Sequence, residues 1–315
     1  MKTVPKIYVG VDVSKNFLDV AYHPTGKHFR VSNNIIGINK MIKRLSSHQV
    51  VRIACESSGG YERTMLKLLR KADYSVQLMD PKLIKYFILS KKIKAKTDKI
   101  DASMIALFTA HNEPEYTPPI ITEKHEELRD MVRRRYAFVE DIAREKKRLK
   151  QAFSQKAKNF IFNHIKFLEE QIDLVNKEIE HLIASNSEWK KAQRLLLSMP
   201  GFGEISTAAL IAEIPELGQI ENKQAASILG VAPGTKQSGN FEGRATISGG
   251  RFMIRKIIYM AALSASHSKG KFSAYYQRLK NKGKKPKVCL VALMNKMISI
   301  ANTLLKKGEE WNPAF

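Results

Sequence analysis

Four carboxylates stand out in a chain dominated by positive charge. Asp12 interrupts the apolar run VGVDVS, Glu56 closes the run VVRIACE ahead of SSGG, and Asp98 and Asp101 lie in KAKTDKIDA at the start of a helical stretch. Lys and Arg number 54 against 30 Asp and Glu, a net charge of +24. Such a surplus attracts polyanions, and acids grouped within it can hold the divalent metal that acts on a phosphate backbone. An unpaired carboxylate in an apolar strand is costly, so Asp12 calls for a cation. Asp98 and Asp101, three apart, share one helix face and repel each other unless a cation lies between them. Taken singly, each acid also has a plain structural reading: Asp98 as a helix N-cap, Glu56 as a solvated strand end, Asp12 as a turn former.

A second set lies near the C-terminus. Ser238 and Gly239 follow Lys236 and precede Arg244, Arg251 and Arg255. A serine hydroxyl is a weak nucleophile unless its proton is removed or the developing charge is stabilised, and arginines suit a phosphodiester under attack. Serine also serves glycine loops for turn reasons alone, and Ser248 in ISGG is an equal candidate on chemistry. Backbone N–H groups at Gly201 and Gly203 in PGFG could hold phosphate at a helix start, though an ordinary helix–helix turn reads the same way. Lys92, Lys94, Lys96 and Lys99 crowd the approach to the helical acids, where a phosphate backbone would pass. The run RRRYAFVEDIAREKKRLK adds Arg133, Arg134, Arg144, Lys147 and Arg148, with Tyr136 and Phe138 interleaved. That pattern permits nucleic-acid stacking without demanding it.

The elements that must position these groups follow from periodicity. Residues 6–32 alternate as a β-meander, and Ile38, Met41, Ile42 and Leu45 have helical spacing. VVRIACE is a strand, YERTMLKLLRKAD a helix and YSVQLMD a strand, with Pro81 opening the next helix. The helix bearing the acids begins near Asp98 and ends at the proline-rich loop of residues 110–119. This is a mixed α/β domain. From about 122 to 190 proline and glycine are absent. Ile161, Ile165, Leu168, Ile172, Val175, Ile179 and Leu182 step by four and three, a heptad seam. Leu128, Val132, Arg135, Val139, Ile142, Lys146, Leu149 and Phe153 keep the same rhythm. Two helices folding back as an antiparallel coiled coil is the simplest reading, and a dimer seam is the other. Residues 191–315 read as helices with glycine-rich loops, SMPGFGEISTAALIAEI resembling a helix-hairpin-helix.

Composition excludes several classes. At 43% hydrophobic residues the chain is not a disordered basic tail. Cys55 and Cys289 cannot build a disulfide framework or a cysteine-rich zinc site, which points to a reducing cytosol. No uninterrupted apolar run of about 18 residues appears, which argues against a membrane span, and the start lacks a signal peptide's features. The expectation is a cytoplasmic, nucleoid-associated protein with nucleic acid, not membrane, as partner.

The order of the acids is that in which a ribonuclease-H-like sheet gathers carboxylates around two Mg²⁺ ions roughly 4 Å apart. GVDVSK, ACESSGGYE and KTDKIDA resemble the N-terminal motifs of the DEDD insertion-sequence transposases of the IS110 type, a family that includes pilin-gene invertases. MPGFGEISTAALIAEI, LGVAPGTKQSG and ISGGRFMIRK resemble that family's second domain. The resemblance covers essentially the whole chain, and KTDKIDA with P-x-x-x-x-S-G is its specific part. It implies a RuvC-like catalytic domain at 1–118, a coiled-coil linker at 119–192 and a C-terminal transposase domain with a serine nucleophile at 193–315. It further implies a bridge RNA as guide, pairing with target and donor DNA, and Mg²⁺ on Asp12, Glu56, Asp98 and Asp101. Ser238 is then the nucleophile, forming a covalent phosphoserine in a composite site of a dimer or tetramer. Where members often carry Ser-Lys-x-Gly, this chain has Ser248-Gly249-Gly250-Arg251. The rival readings are a protein-directed invertase of the same family, a metal-dependent resolvase-type nuclease, and a non-catalytic nucleic-acid scaffold.

Overall fold

The computed structural model describes residues 5–91, 97–112, 121–234 and 246–312, with the backbone alone of 237–238 and 241–242. The chain divides into two units, 1–118 and 119–315.

In the first unit the alternating segment forms three antiparallel strands, β1 (Lys6–Val13), β2 (Phe17–His23) and β3 (His28–Ser32). Then follow α1 (Ile35–Leu45), β4 (Gln49–Glu56), α2 (Arg63–Lys71), β5 (Val76–Met79), α3 (Pro81–Ser90) and α4 (Asp98–His111). The sheet order is β3-β2-β1-β4-β5, with β4 parallel to both β1 and β5. Strand alternation sends successive side chains to opposite faces. Ile7, Val9, Val11, Ile53 and Cys55 join Ile38, Met41 and Met65 in one core under α1 and α2. The opposite parity holds Gly10, Asp12, Ala54 and Glu56, and this is the face that α4 covers. Ala54 packs there with Ile84 of α3 and Ile105 of α4.

The second unit opens with α5 (Glu123–Gln151) and α6 (Gln155–Ala184). They fold back on each other through Phe138, Ile142, Ile165 and Leu168, so α5 covers the seam of α6. The register on α5 differs from the sequence rhythm. Phe138 and Glu145 are buried, whereas Val139 and Phe153 are exposed and Lys146 faces solvent. Val139 instead borders a groove shared with Ile179 and Met260. The larger ring of Phe138 fills the interhelical space, with the Arg134 guanidinium 4.2 Å above its centroid. Beyond lie α7 (Ser187–Leu197), α8 (Glu204–Glu213) and α9 (Asn222–Leu229). Four two-residue strands come next: β6 (Pro233–Gly234), β7 (Gln237–Ser238), β8 (Phe241–Glu242) and β9 (Thr246–Ile247). The chain ends in α10 (Phe252–His267), α11 (Lys271–Asn281) and α12 (Pro286–Lys307).

α12, though its apolar run is interrupted at Asn295 and Lys296, is with its 22 residues long and apolar enough in composition to cross a bilayer. Half of that stretch is buried within the protein. Leu290, Leu293, Met294, Met297 and Ile298 lie in the core, and the helix packs on α7, α9, α10 and α11. It reads as a core helix. Both cysteines are free and buried.

Candidate active site

The site in the first unit is set by a backbone contact. A Cβ on Gly10 would lie 2.2 Å from the Ala102 carbonyl oxygen and 2.3 Å from the Ala106 nitrogen. Only glycine lets β1 and α4 approach this closely. The contact places Asp12, two residues on and of the same parity, beside the first turn of α4, where Asp98 and Asp101 stand. Acids there also complement the helix macrodipole. The N-cap is Thr97, whose Oγ1 accepts from the Ile100 amide at 3.3 Å, so Asp98 is not needed as a cap. Val11 pairs with Cys55 across the parallel strands, which puts Asp12 and Glu56 at one level at their carboxyl ends.

Burial pushes the Asp12 carboxyl up to about 6, and the negative charges of Asp101, Asp98 and Asp19 push the same way. Asp19 did not enter the sequence reading of the site. It is the register partner of Asp12 on β2 and of Arg30 on β3, so Asp12, Asp19 and Arg30 form a row across three strands. Asp19 is 3% exposed. It accepts from Arg30 Nε at 3.1 and 2.9 Å and lies 2.9 Å from His28 Nε2. Arg30 Nη2 reaches on to Asp98 Oδ2 at 2.7 Å. Both Asp19 and Arg30 were legible as polar residues of matching parity in a hairpin.

Among the described residues no three His, Cys, Asp or Glu side chains converge closely enough to hold a metal ion. Arg30 accounts for part of this, since it holds the Asp98 carboxylate. The donor set nonetheless fits a hard divalent cation: all-oxygen ligands, one of them a half-buried carboxyl raised by burial and by its acidic neighbours.

The SSGGYE stretch after Glu56 is tied by its own glutamate. Glu62, 6% exposed, accepts from Ser58 Oγ at 2.6 Å, Gly60 N at 2.9 Å and Ser58 N at 3.2 Å. Burial raises its carboxyl, but these hydrogen bonds outweigh it and hold Glu62 below the usual carboxylate value. This loop fixes the backbone immediately after Glu56.

In the second unit Ser238 ends β7 and pairs with Phe241 of β8. The ribbon's root is closed: β6 pairs with β9, and a Cβ on Gly250 (φ 70°) would lie 2.3 Å from Gly230 Cα. Arg255 Nη1 donates to the carbonyls of Gly230 and Gly249, and the Arg251 amide to Ile228 O at 2.9 Å. Ser248 is exposed just beyond β9.

The basic residues divide. Arg133 makes a two-pronged bond to buried Glu213, at 2.6 and 3.0 Å. Arg251 does the same to buried Glu216, at 2.8 and 2.5 Å. Together with Arg255 these guanidinium groups serve internal contacts. Gly201 (φ 91°) lets the turn meet α10 at Ala261, and the Gly203 amide donates to Ser206 Oγ at 2.8 Å. Arg144 pairs with Asp141 and Arg148 with Glu145 one turn away. Arg134, Lys147 and Lys99 are exposed. Lys92, Lys94, Lys96, Lys236, Arg244 and the side chain of Ser238 lie outside the described residues.

Residues 9–157 match a family described as transposase, of the DEDD IS110 type. Residues 193–277 match the transposase IS116/IS110/IS902 family. The pilin gene-inverting proteins of Moraxella bovis and Moraxella lacunata are each 24% identical over 317 residues, spanning 98% of this chain and of their own. The transposase for insertion sequence element IS1533 of Leptospira borgpetersenii is 22% identical over 69% of this chain and 72% of its own.

Proposed function

The chain belongs to the IS110-type DEDD transposases and is a DNA transposase or recombinase, and from that premise we propose that it cuts and rejoins DNA strands through a covalent phosphoserine at Ser238, guided by a bridge RNA. Asp12, Glu56, Asp98 and Asp101 would hold Mg²⁺, as two ions, on a ribonuclease-H-like sheet, which would supply polarisation of the scissile phosphate and offset developing charge. The observation that carries this reading is the close approach of β1 to α4 at Gly10, which sets half-buried Asp12 beside Asp98 and Asp101.

Ser238 Oγ attacks the phosphorus, an O–P bond to serine replaces one ester bond of the strand, and the departing sugar oxygen takes a proton. A hydroxyl of the exchanged strand then attacks the phosphoserine and restores the serine. No ester bond is lost, so joining needs no external energy source. The pinned root at Gly230 and Gly250 supports a serine presented on a defined ribbon. Residues 1–118 act as the catalytic domain, 119–192 as the coiled-coil linker and 193–315 as the serine-bearing domain. Phe160, Phe167 and Leu174, exposed at seven-residue spacing on α6, support pairing with a second copy of the chain.

The test is incubation with Mg²⁺, RNA from the flanking element and labelled target DNA. A covalent protein–DNA adduct forms and Ser238→Ala abolishes it. An adduct that survives in Ser238→Ala but vanishes in Ser248→Ala overturns the assignment. The alternative, an invertase that reads DNA without a guide, is favoured by the end-to-end match to the pilin gene-inverting proteins. Full activity after ribonuclease treatment selects it.

A further inference from the structure

Arg30 is held at two ends of very different strength. Its Nε faces both oxygens of Asp19 and its Nη2 lies 2.9 Å from Asp19 Oδ2, a carboxylate whose side chain is only 5% exposed. Removing one partner of a buried ion pair leaves an uncompensated charge, so this end is firmly anchored. The other end meets Asp98, with the two side chains 48% and 61% exposed. An exposed pair of this kind contributes little and exchanges readily. Arg30 therefore has a fixed cationic body and one replaceable anion. That anion belongs to a carboxylate that a divalent cation would claim.

We infer that Arg30 exchanges anions at the site: it holds Asp98 while the acids are bare, and, with Nη2 still beside Asp19, turns the N–H that Asp98 held to a non-bridging phosphate oxygen once a divalent cation takes Asp98. The inference rests on the reading of the four acids as a metal site. A guanidinium N–H suits either partner, because carboxylate and phosphate both offer an anionic oxygen acceptor. The anchor on Asp19 keeps the cation in place during the exchange, so phosphate recognition becomes conditional on the metal. The two steps have opposite dependence on Arg30, which competes with the metal for Asp98 and then assists the nucleic acid.

The test measures Mn²⁺ binding to the full chain by titration calorimetry, and binding of a short DNA duplex with and without Ca²⁺. Arg30→Gln tightens Mn²⁺ up to about fivefold, the range expected when an exposed competing pair is removed. The same variant weakens duplex binding in Ca²⁺ and leaves it unchanged in chelator. Should Arg30→Gln fail to fold because Asp19 is stranded, the double variant Asp19→Asn/Arg30→Gln keeps the interior neutral and shows the same pair of effects. Unchanged Mn²⁺ affinity, or a loss of duplex affinity equal with and without Ca²⁺, overturns the exchange. Asp12→Asn separates the two levels of the argument. If it leaves Mn²⁺ binding intact, the metal reading itself fails; if it abolishes binding while Arg30→Gln changes nothing, only the exchange fails.

Discussion

Asp12 and Asp19 are register partners across the first hairpin, two carboxylates on one face of the sheet. Like charges placed directly opposite are destabilising. The protein neutralises one of them with Arg30, beside a His28 hydrogen bond, and leaves the other with a carboxyl pushed to about 6. A sheet spends stability on such a pair where a ligand repays it.

The first expectation concerns pH. Asp12 has its folded value raised from 3.8 to about 6, so its protonated form favours the fold. That contribution is full below the unfolded value and is lost as pH rises through about 6. Metal-free protein should lose melting temperature across this window, and Mg²⁺ should restore it above. Asp12→Asn should melt higher than wild type near pH 7 in chelator, by about 1 kcal/mol after allowance for solvent screening. It should also gain nothing from Mg²⁺. Thermal unfolding with and without chelator reads both.

A second expectation concerns the loop after Glu56. Glu62→Ala strands two backbone donors and the Ser58 hydroxyl, and should cost about 1–3 kcal/mol in chemical denaturation. Because the Glu62 carboxyl is held low, its stabilisation is present above the ordinary carboxylate value and disappears as pH falls through the lowered one. The variant should therefore be less sensitive to acid than wild type between those limits.

The arginines give a third. Arg133→Ala removes the two-pronged partner of buried Glu213 and leaves it only the charge of nearby Arg129, so it should destabilise by about 1–3 kcal/mol. Arg134→Ala and Lys147→Ala should leave stability near wild type and weaken DNA binding evenly across sequences. Each should reduce the salt slope of binding by about one. If Arg133→Ala proves stable and defective only in DNA affinity, the internal role given to it is wrong.

A fourth follows from the outer stripe of α6. Phe167→Asp places a charge amid Phe160 and Leu174 without touching the seam against α5. Sedimentation velocity should show a smaller species than wild type at equal concentration, with helix content unchanged by circular dichroism.

Much of the first unit could be read directly from residue order. Period-two alternation and the Pro81 start mark its elements, and parity puts Asp12 and Glu56 on one face. What escaped was pairing. Asp19 lies in FLDVAY as an ordinary polar interruption, and its role depends on a register that follows only once Ser14–Asn16 is known to be the turn. The seam on α5 slipped because Val139 and Phe138 are both apolar, and ring size in a specific gap decided between them. The glutamates that occupy Arg133 and Arg251 stand 80 and 35 residues away. No local pattern announces partners at that range, so a basic run reads as a nucleic-acid surface even where the charge is spent inside.

The bare contact at Gly10 has a consequence for how this enzyme can vary. Side chains fill most strand–helix boundaries, and their sizes set the gap. Here backbone meets backbone, so substitutions in the surrounding core have nothing to push against at this point. The spacing between an acid on the strand and an acid on the helix is thereby insulated from drift in the packing around it. Hydrophobic residues elsewhere in the unit can be exchanged for others of similar volume while these carboxylates keep their distance.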